Sequence, residues 1–171
     1  DPTLENPKLK CNKYRIEGPF DSSYSLAIVN REIALALNNI YPNEVSLYST
    51  DGLKDYSPSC NQISLDVKKM WKEASSYLYA RVVMRNLYPP RASNMIGDIK
   101  IVGSYGWEES GFPSEYVNGF HAHLDGIATV SDYVTQLLIN NGVSLPIQTM
   151  GNGVEHCLTV KEKQYRRSLG K

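Results

Sequence analysis

The chain lacks the residues that several function classes require. Only three cysteines occur in 171 residues, Cys11, Cys60 and Cys157. The number is odd and no pair is spaced C-x-x-C, so neither a disulfide framework nor a zinc site is indicated, and a reducing compartment fits best. Histidine is as scarce, at three. The one close pair, His121 and His123, stands two apart, a spacing that does not bring side chains together on a helix, so no metal is expected. No sign of charge dominates: 18 basic residues stand against 18 acidic ones. Without a basic block, the electrostatic footprint of a nucleic-acid binder is missing. No apolar run approaches the roughly 20 residues that a membrane-spanning helix needs, and no signal peptide opens the chain. The text holds no G-x-G-x-x-G, no G-x-x-x-x-G-K-[ST] and no G-x-S-x-G, which removes the dinucleotide fingerprint, the P-loop and the hydrolase elbow. His156 and Cys157 are sequence neighbours, not a catalytic pair.

What is present is alternation. Short β-prone runs at 13–17, 44–48, 81–86, 99–102, 127–130 and 146–150 alternate with helical patterns. Leu26, Val29, Ile33, Leu37 and Ile40 recur at three- and four-residue steps, an amphipathic stripe, with Asp21, Ser22 and Ser23 as candidate caps. A short helix is expected over 66–75. Another opens with Pro113 at its first position and carries Tyr116, Val117, Phe120 and Leu124. The last begins at Ser131 and ends at Gly142. Strands alternating with helices imply a mainly parallel sheet of about six strands in a Rossmann-like, three-layer α/β domain.

In such a sheet, ligands bind beyond the carboxyl ends of the strands, which focuses attention on the strand-to-helix junctions. Gly18-Pro19-Phe20 is either a tight turn or a loop that lets a phosphate or sugar approach a helix N-terminus. Trp107-Glu108-Glu109-Ser110 follows the fourth strand. It reads as a solvated acidic loop, or as an indole stacked on a sugar with a carboxylate holding hydroxyls or acting as a base. Adjacent carboxylates cannot flank a scissile bond from both faces, so this is no glycosidase pair. Ser131 is a helix cap that could also hold an anion with the free amides of the first turn. Asn152-Gly153 reads as a turn with Gly153 left-handed, or as a hinge leading into another domain.

Three segments in order resemble the N-terminal half of a retaining, nucleotide-sugar-dependent glycosyltransferase of family four, with the two-domain B-type fold. They are G-P-F-D-S-S-Y-S-L-A-I-V-N-R-E-I-A from Gly18, W-E-E-S-G-F-P from Trp107, and G-I-A-T-V-S-D-Y-V from Gly126 followed by G-N-G-V-E-H from Gly151. The resemblance implies transfer of a sugar from a nucleotide-sugar donor to a saccharide or lipid-linked acceptor, with retention and without a metal or other cofactor. The acceptor would sit in this half. The donor would be held by an E-x7-E pair in a C-terminal domain, a spacing absent here: Glu108 to Glu115 and Glu155 to Glu162 are each one residue short. On this view residues 1–12 are an extension, 13–156 the acceptor-binding domain and 157–171 a linker to a missing donor-binding domain, so the fragment alone would be inactive. Its place would be the cytoplasm, free or peripheral to a membrane. Many relatives carry a His at the end of the fourth strand. Gly103-Ser104-Tyr105-Gly106 stands here instead, leaving Glu108 and Glu109 as the nearest catalytic candidates. Gly18, Pro19, Phe20, Trp107, Ser110, Ser131, Asn152 and Gly153 would bind substrate. The alternative is a non-catalytic carbohydrate- or nucleotide-binding module on the same scaffold. A fragment of a nucleotide-sugar epimerase or dehydrogenase is disfavoured by the missing dinucleotide fingerprint.

Overall fold

A computed structural model describes residues 12–21, 24–50, 63–76 and 79–153. In chain order the elements are β1 (Asn12–Glu17), α1 (Ser25–Ile40), β2 (Val45–Tyr48), α2 (Leu65–Ser76), β3 (Ala80–Arg85), β4 (Gly97–Tyr105), α3 (Ser114–His123), β5 (Gly126–Thr129), α4 (Asp132–Asn140) and β6 (Ile147–Thr149). The strands form one sheet in the order β2-β1-β3-β4-β5-β6, and every pair is parallel. The sheet expected to be mainly parallel is thus wholly so, flanked by helices in a Rossmann-like three-layer arrangement. Among the described residues no helix is long and apolar enough to cross a membrane. The expected linker over 157–171 and most of the extension over 1–12 lie outside the described residues.

Two apolar clusters hold the layers together. Val83 belongs to one and its neighbour Met84 to the other, and Val102 and Ile101 divide the same way. Side chains alternate across a strand, so the clusters lie on opposite faces of the sheet. One joins Val83, Val102 and Ile127 to Phe120 of α3 and to Val134 and Leu138 of α4. The other joins Met84, Ile16 and Leu47 to Ala34 of α1 and to Val67 and Met70 of α2.

The helix α1 differs from its sequence pattern in instructive ways. Its deepest residues are Ala27, Asn30 and Ala34, while Leu26, Val29, Ile33 and Leu37 are only half-buried and Ile40 is 66% exposed. Small side chains let the helix lie close, and the larger ones fill its flanks. Its N-cap is Tyr24, without a side-chain cap bond. Asp21 therefore does not cap it, and Ser22 and Ser23 lie outside the described residues. Pro113 is likewise the residue before α3, not its first position.

The chain steps from β1 out to β2 and then back across β1 to β3, so the strand order reverses between β1 and β3. The two strand ends are tied together there. The Asn86 amide donates to the Glu17 carbonyl at 3.0 Å. One residue on, the Asn30 side-chain amide donates to Pro19 O at 2.8 Å and to Asn86 O at 3.0 Å. Gly18 has φ +141°, and a Cβ there would lie 2.2 Å from Asn86 O and 2.7 Å from Asn30 Nδ2. Beside this knot Arg85 donates to Glu17 Oε2 through Nε at 2.8 Å and Nη2 at 2.5 Å, and both residues are buried. Arg85 Nη1 also holds Arg91 O and Asn94 Oδ1, each at 2.6 Å, which pins the segment between β3 and β4.

A prediction separates two glycines. Gly18→Ala should lower unfolding free energy by about 3 kcal/mol or more, from the clash and the positive φ. Gly119→Ala in α3, where a Cβ meets nothing within 4 Å, should raise it by about 1 kcal/mol. Denaturant midpoints of the two variants, moving in opposite directions, are the check.

Candidate functional site

All six strands point the same way, so the segments after β1, β3, β4, β5 and β6 gather at one edge. A cleft of about 620 Å³ opens there. Its walls come from the first turns of α1 (Ser25, Leu26) and α4 (Tyr133, Val134). Between them lie Asn86 to Tyr88 after β3, Ser104 to Glu109 at the end of β4, Val130 and Ser131 after β5, and Asn152 after β6. Five residues singled out in the sequence therefore meet in one place: Trp107, Glu108, Glu109, Ser131 and Asn152.

The others are at the same edge but outside the cleft. Gly18, Pro19 and Phe20 are buried. Phe20 packs in the apolar cluster with Ile16 and Val67, its ring 6.3 Å from that of Trp71. The close approach that Gly18 permits is used by the backbone of Asn86 and the side chain of Asn30. Ser110 is exposed, and its carbonyl accepts from Asn141 Nδ2 at 3.4 Å. Gly153 is exposed, and the left-handed residue of that turn is Gly151, at φ +69°.

The loop carrying the carboxylates is tethered at several points. Trp107 Nε1 donates to Gly111 O at 2.8 Å and closes the loop on itself. Tyr133 Oη donates to Glu109 O at 3.4 Å. Asn141, the C-cap of α4, accepts from the Phe112 amide at 3.1 Å. The indole meets Phe112 edge-on, with centroids 5.0 Å apart. The ring of Tyr88, 68% exposed, stands 6.3 Å from the indole. Glu108 and Glu109 themselves are exposed.

The end of β4 was not legible as strand. The expected strand stops at Val102, yet β4 continues through Gly103, Ser104 and Tyr105. Gly103 makes room for Met84, whose Sδ would lie 2.1 Å from a Cβ there. A register shift between Val102 and Tyr105 then swings Ser104 into the left-handed region at φ 51°. A non-glycine residue held there costs energy, of order 1–3 kcal/mol. Its hydroxyl donates to Asn152 Oδ1 at 2.7 Å, joining the cleft's two sides. The signal for Ser104 in the text is only the small residue before it and the loop after it.

Ser131 caps α4 as expected, its hydroxyl accepting from the Val134 amide at 3.3 Å. Thr135 links Thr129 of β5 and Thr149 of β6 through hydroxyls, at 2.5 and 2.8 Å, which steadies the approach to Asn152. Two polar groups of cleft-lining residues are buried without a hydrogen-bond partner among the described residues, Asn86 Nδ2 and Tyr105 Oη. Burial pushes the Tyr105 phenol well above its ordinary range. Away from the cleft, His121 Nε2 accepts from the Ser144 amide at 3.0 Å, a packing role. No protein-family model matches the chain, nor does any curated protein or solved structure.

Two predictions follow from this geometry. Asn141→Ala removes the partner of the part-buried Phe112 amide and should cost about 1 kcal/mol, measured by chemical denaturation. For Tyr105 the folded pKa lies above the unfolded one. Its contribution is therefore fully present below about pH 10 and is lost as pH rises beyond that, at up to about 1.4 kcal/mol per pH unit. Tyr105→Phe should flatten that part of the stability profile, and identical alkaline slopes for variant and wild type would refute the assignment.

Proposed function

We propose that the chain is the acceptor-side domain of a retaining, nucleotide-sugar-dependent glycosyltransferase. The observation that carries this reading is the convergence of Trp107, Glu108, Glu109, Ser131 and Asn152 on one cleft at the carboxyl edge of an all-parallel sheet. These residues come from the segments on which the family resemblance rests. An aromatic plane and carboxylates suit a polyhydroxylated acceptor. The start of α1, lining the cleft and without a side-chain cap bond, suits the negative charge of a donor's diphosphate.

In this reading the acceptor lies against Trp107, with a hydroxyl within reach of Glu108 or Glu109. The carboxylate draws off or orients the hydroxyl proton as the oxygen bonds to the anomeric carbon and the bond from that carbon to the diphosphate breaks on the same face, the nucleoside diphosphate leaving as an anion. Ser104 and Asn152, already bonded to each other, fix the depth at which the sugar ring can sit. The donor's sugar must be brought in by a second domain of the same protein, because transfer needs the two reactants in near-attack geometry, an advantage of roughly 7–11 kcal/mol at best.

The test is sugar transfer by the longer protein, followed as nucleoside diphosphate release from a panel of nucleotide sugars. Glu108→Ala or Glu109→Ala should lower kcat by about 10²-fold or more for whichever carboxylate is the base, with the fold intact by circular dichroism. Wild-type turnover in both variants would remove the loop from the chemistry. The 171-residue chain alone should bind nucleotide sugars weakly in calorimetry. Submicromolar affinity there, or transfer by this chain alone, would show that the acceptor and donor halves are wrongly assigned.

A further inference from the structure

Three Asn-Gly pairs occur in the chain, at Asn118, Asn141 and Asn152. Such a pair is chemically labile in water wherever the glycine amide can reach the Asn side chain, because glycine has no Cβ to bar the approach. The fold treats the three differently. Asn118-Gly119 lies inside α3, where the glycine amide belongs to the helical ladder. Gly142, after Asn141, donates its amide to Ile139 O at 3.0 Å. The Asn141 side chain is itself fastened at both ends, by the Phe112 amide and by Leu137 O. Asn152-Gly153 is held by neither device. Both residues are exposed, and among the described residues no backbone carbonyl takes the Gly153 amide.

The one strong contact at Asn152 favours reaction. Ser104 donates its hydroxyl to Asn152 Oδ1 at 2.7 Å. This serine is 4% exposed and held at φ 51°, so the donor is fixed in place by the end of β4. Oδ1 is the atom on which negative charge develops when a nucleophile adds to the side-chain amide carbon. A fixed donor aimed at that atom stabilises the transition state more than the ground state. The bond that joins the cleft's two sides therefore also activates the amide it holds.

We infer that Asn152 deamidates in the folded protein, in preference to Asn118 and Asn141, and so places a new carboxylate in the cleft. Gly153 N gives its proton to water and bonds to Asn152 Cγ. The Cγ–Nδ2 bond breaks, and Nδ2 takes a proton from water and leaves as ammonia. The cyclic imide that remains takes up one water, which opens either of its ring carbon–nitrogen bonds. The product is aspartate or its isoaspartyl isomer at position 152. Either one adds a negative charge to a cleft whose charged lining residues, among those described, are Glu108 and Glu109. The modification depends on the fold alone; only its cost to a diphosphate-bearing donor rests on the transferase reading.

The experiment is incubation of the 171-residue chain in mildly alkaline buffer, folded and in denaturant, with peptide mapping by mass spectrometry at intervals. In denaturant all three sites should react at similar rates. In the folded chain Asn118 and Asn141 should slow by at least about tenfold, because they react only through local opening. Asn152 should keep its denatured rate or exceed it. Ser104→Gly, which suits the positive φ, should slow reaction at Asn152 by about tenfold. Gly153→Ala, where a Cβ meets nothing within 4 Å, should slow it as well. Should Ser104→Gly unfold, the ranking of the three sites in the wild-type chain still decides the matter. Equal rates at the three sites in the folded chain, or a folded rate at Asn152 well below its denatured rate, overturns the inference. Faster reaction in folded Ser104→Gly overturns the part given to its hydroxyl. In the longer protein, Asn152→Asp should raise the KM for a nucleotide sugar about fivefold at low salt, and less at high salt; an unchanged KM removes that consequence. Selective deamidation without sugar transfer would sink the transferase reading alone, and transfer with the three sites reacting alike would sink only this inference.

Discussion

The contact on which the rest depends is the closure between the ends of β1 and β3. Two neighbouring pairs make it. Glu17 and Arg85 form a buried ion pair with two hydrogen bonds, and Gly18 lies against the Asn86 carbonyl with the Asn30 amide clasping both sides. Breaking a buried pair by removing one partner costs far more than the pair contributes on balance, because a charge is left uncompensated. The same logic makes the closure specific. Arg15, also buried, lies 4.0 Å from Glu17 and over the Tyr48 ring, and burial pulls its pKa down against the opposing pull of Glu17. A sheet with these charges on one face has little freedom to slip in register.

From that closure the cleft follows geometrically. Asn30 anchors α1 at the point where the strand order reverses, so the first turn of α1 overhangs the carboxyl edge. Arg85, through Arg91 and Asn94, holds the segment that carries Tyr88 opposite Trp107. The far wall is held by other means. Asn141 at the end of α4 fastens the carboxylate loop from behind, and the threonine chain through Thr135 keeps β6 beside β5. Each wall is thus supported by polar contacts outside the cleft as well as by those that Ser104, Trp107, Ser131 and Tyr133 make within it.

This arrangement explains which parts were legible in the sequence. The alternation of strands and helices is a local pattern, and the parallel sheet follows from it. The Trp107 loop was visible because an indole beside two carboxylates and glycines is unusual text for a connector. What the text hid was tertiary. Asn30 looks like a polar gap in an apolar stripe, but it is among the most buried residues of its helix. Ser104 looks like a loop serine after a strand, but strand pairing continues past it once Gly103 admits Met84. Asn141 looks like a helix end alone, but its side chain also serves the loop. Phe20 erred in the opposite direction: an aromatic after a glycine resembles a binding residue, yet it completes the core under α1. In every case the deciding partner lies at least ten positions away in the chain.

The distribution of burial also bears on how the proposed chemistry would be switched on. Charges inside the sheet, Glu17 and Arg85, are dry and paired, and therefore structural. Charges in the cleft, Glu108 and Glu109, are wet, and water screens the attraction between two unit charges to about 1 kcal/mol at 4 Å. A screened carboxylate is a modest base and a modest anchor. Expelling the water strengthens every charge in the site, and the cleft cannot do that by itself, since its carboxylates and two of its aromatic rings face outward. On the function proposed here, the covering surface is the donor domain. Its closure would bring the sugar to be transferred and dry the carboxylates in the same movement, so that base strength appears only when both substrates are present. An open half that is well ordered but weakly polarising is then what a two-domain transferase requires of its acceptor side, because a dry, strongly basic site left standing open would activate water as readily as the acceptor.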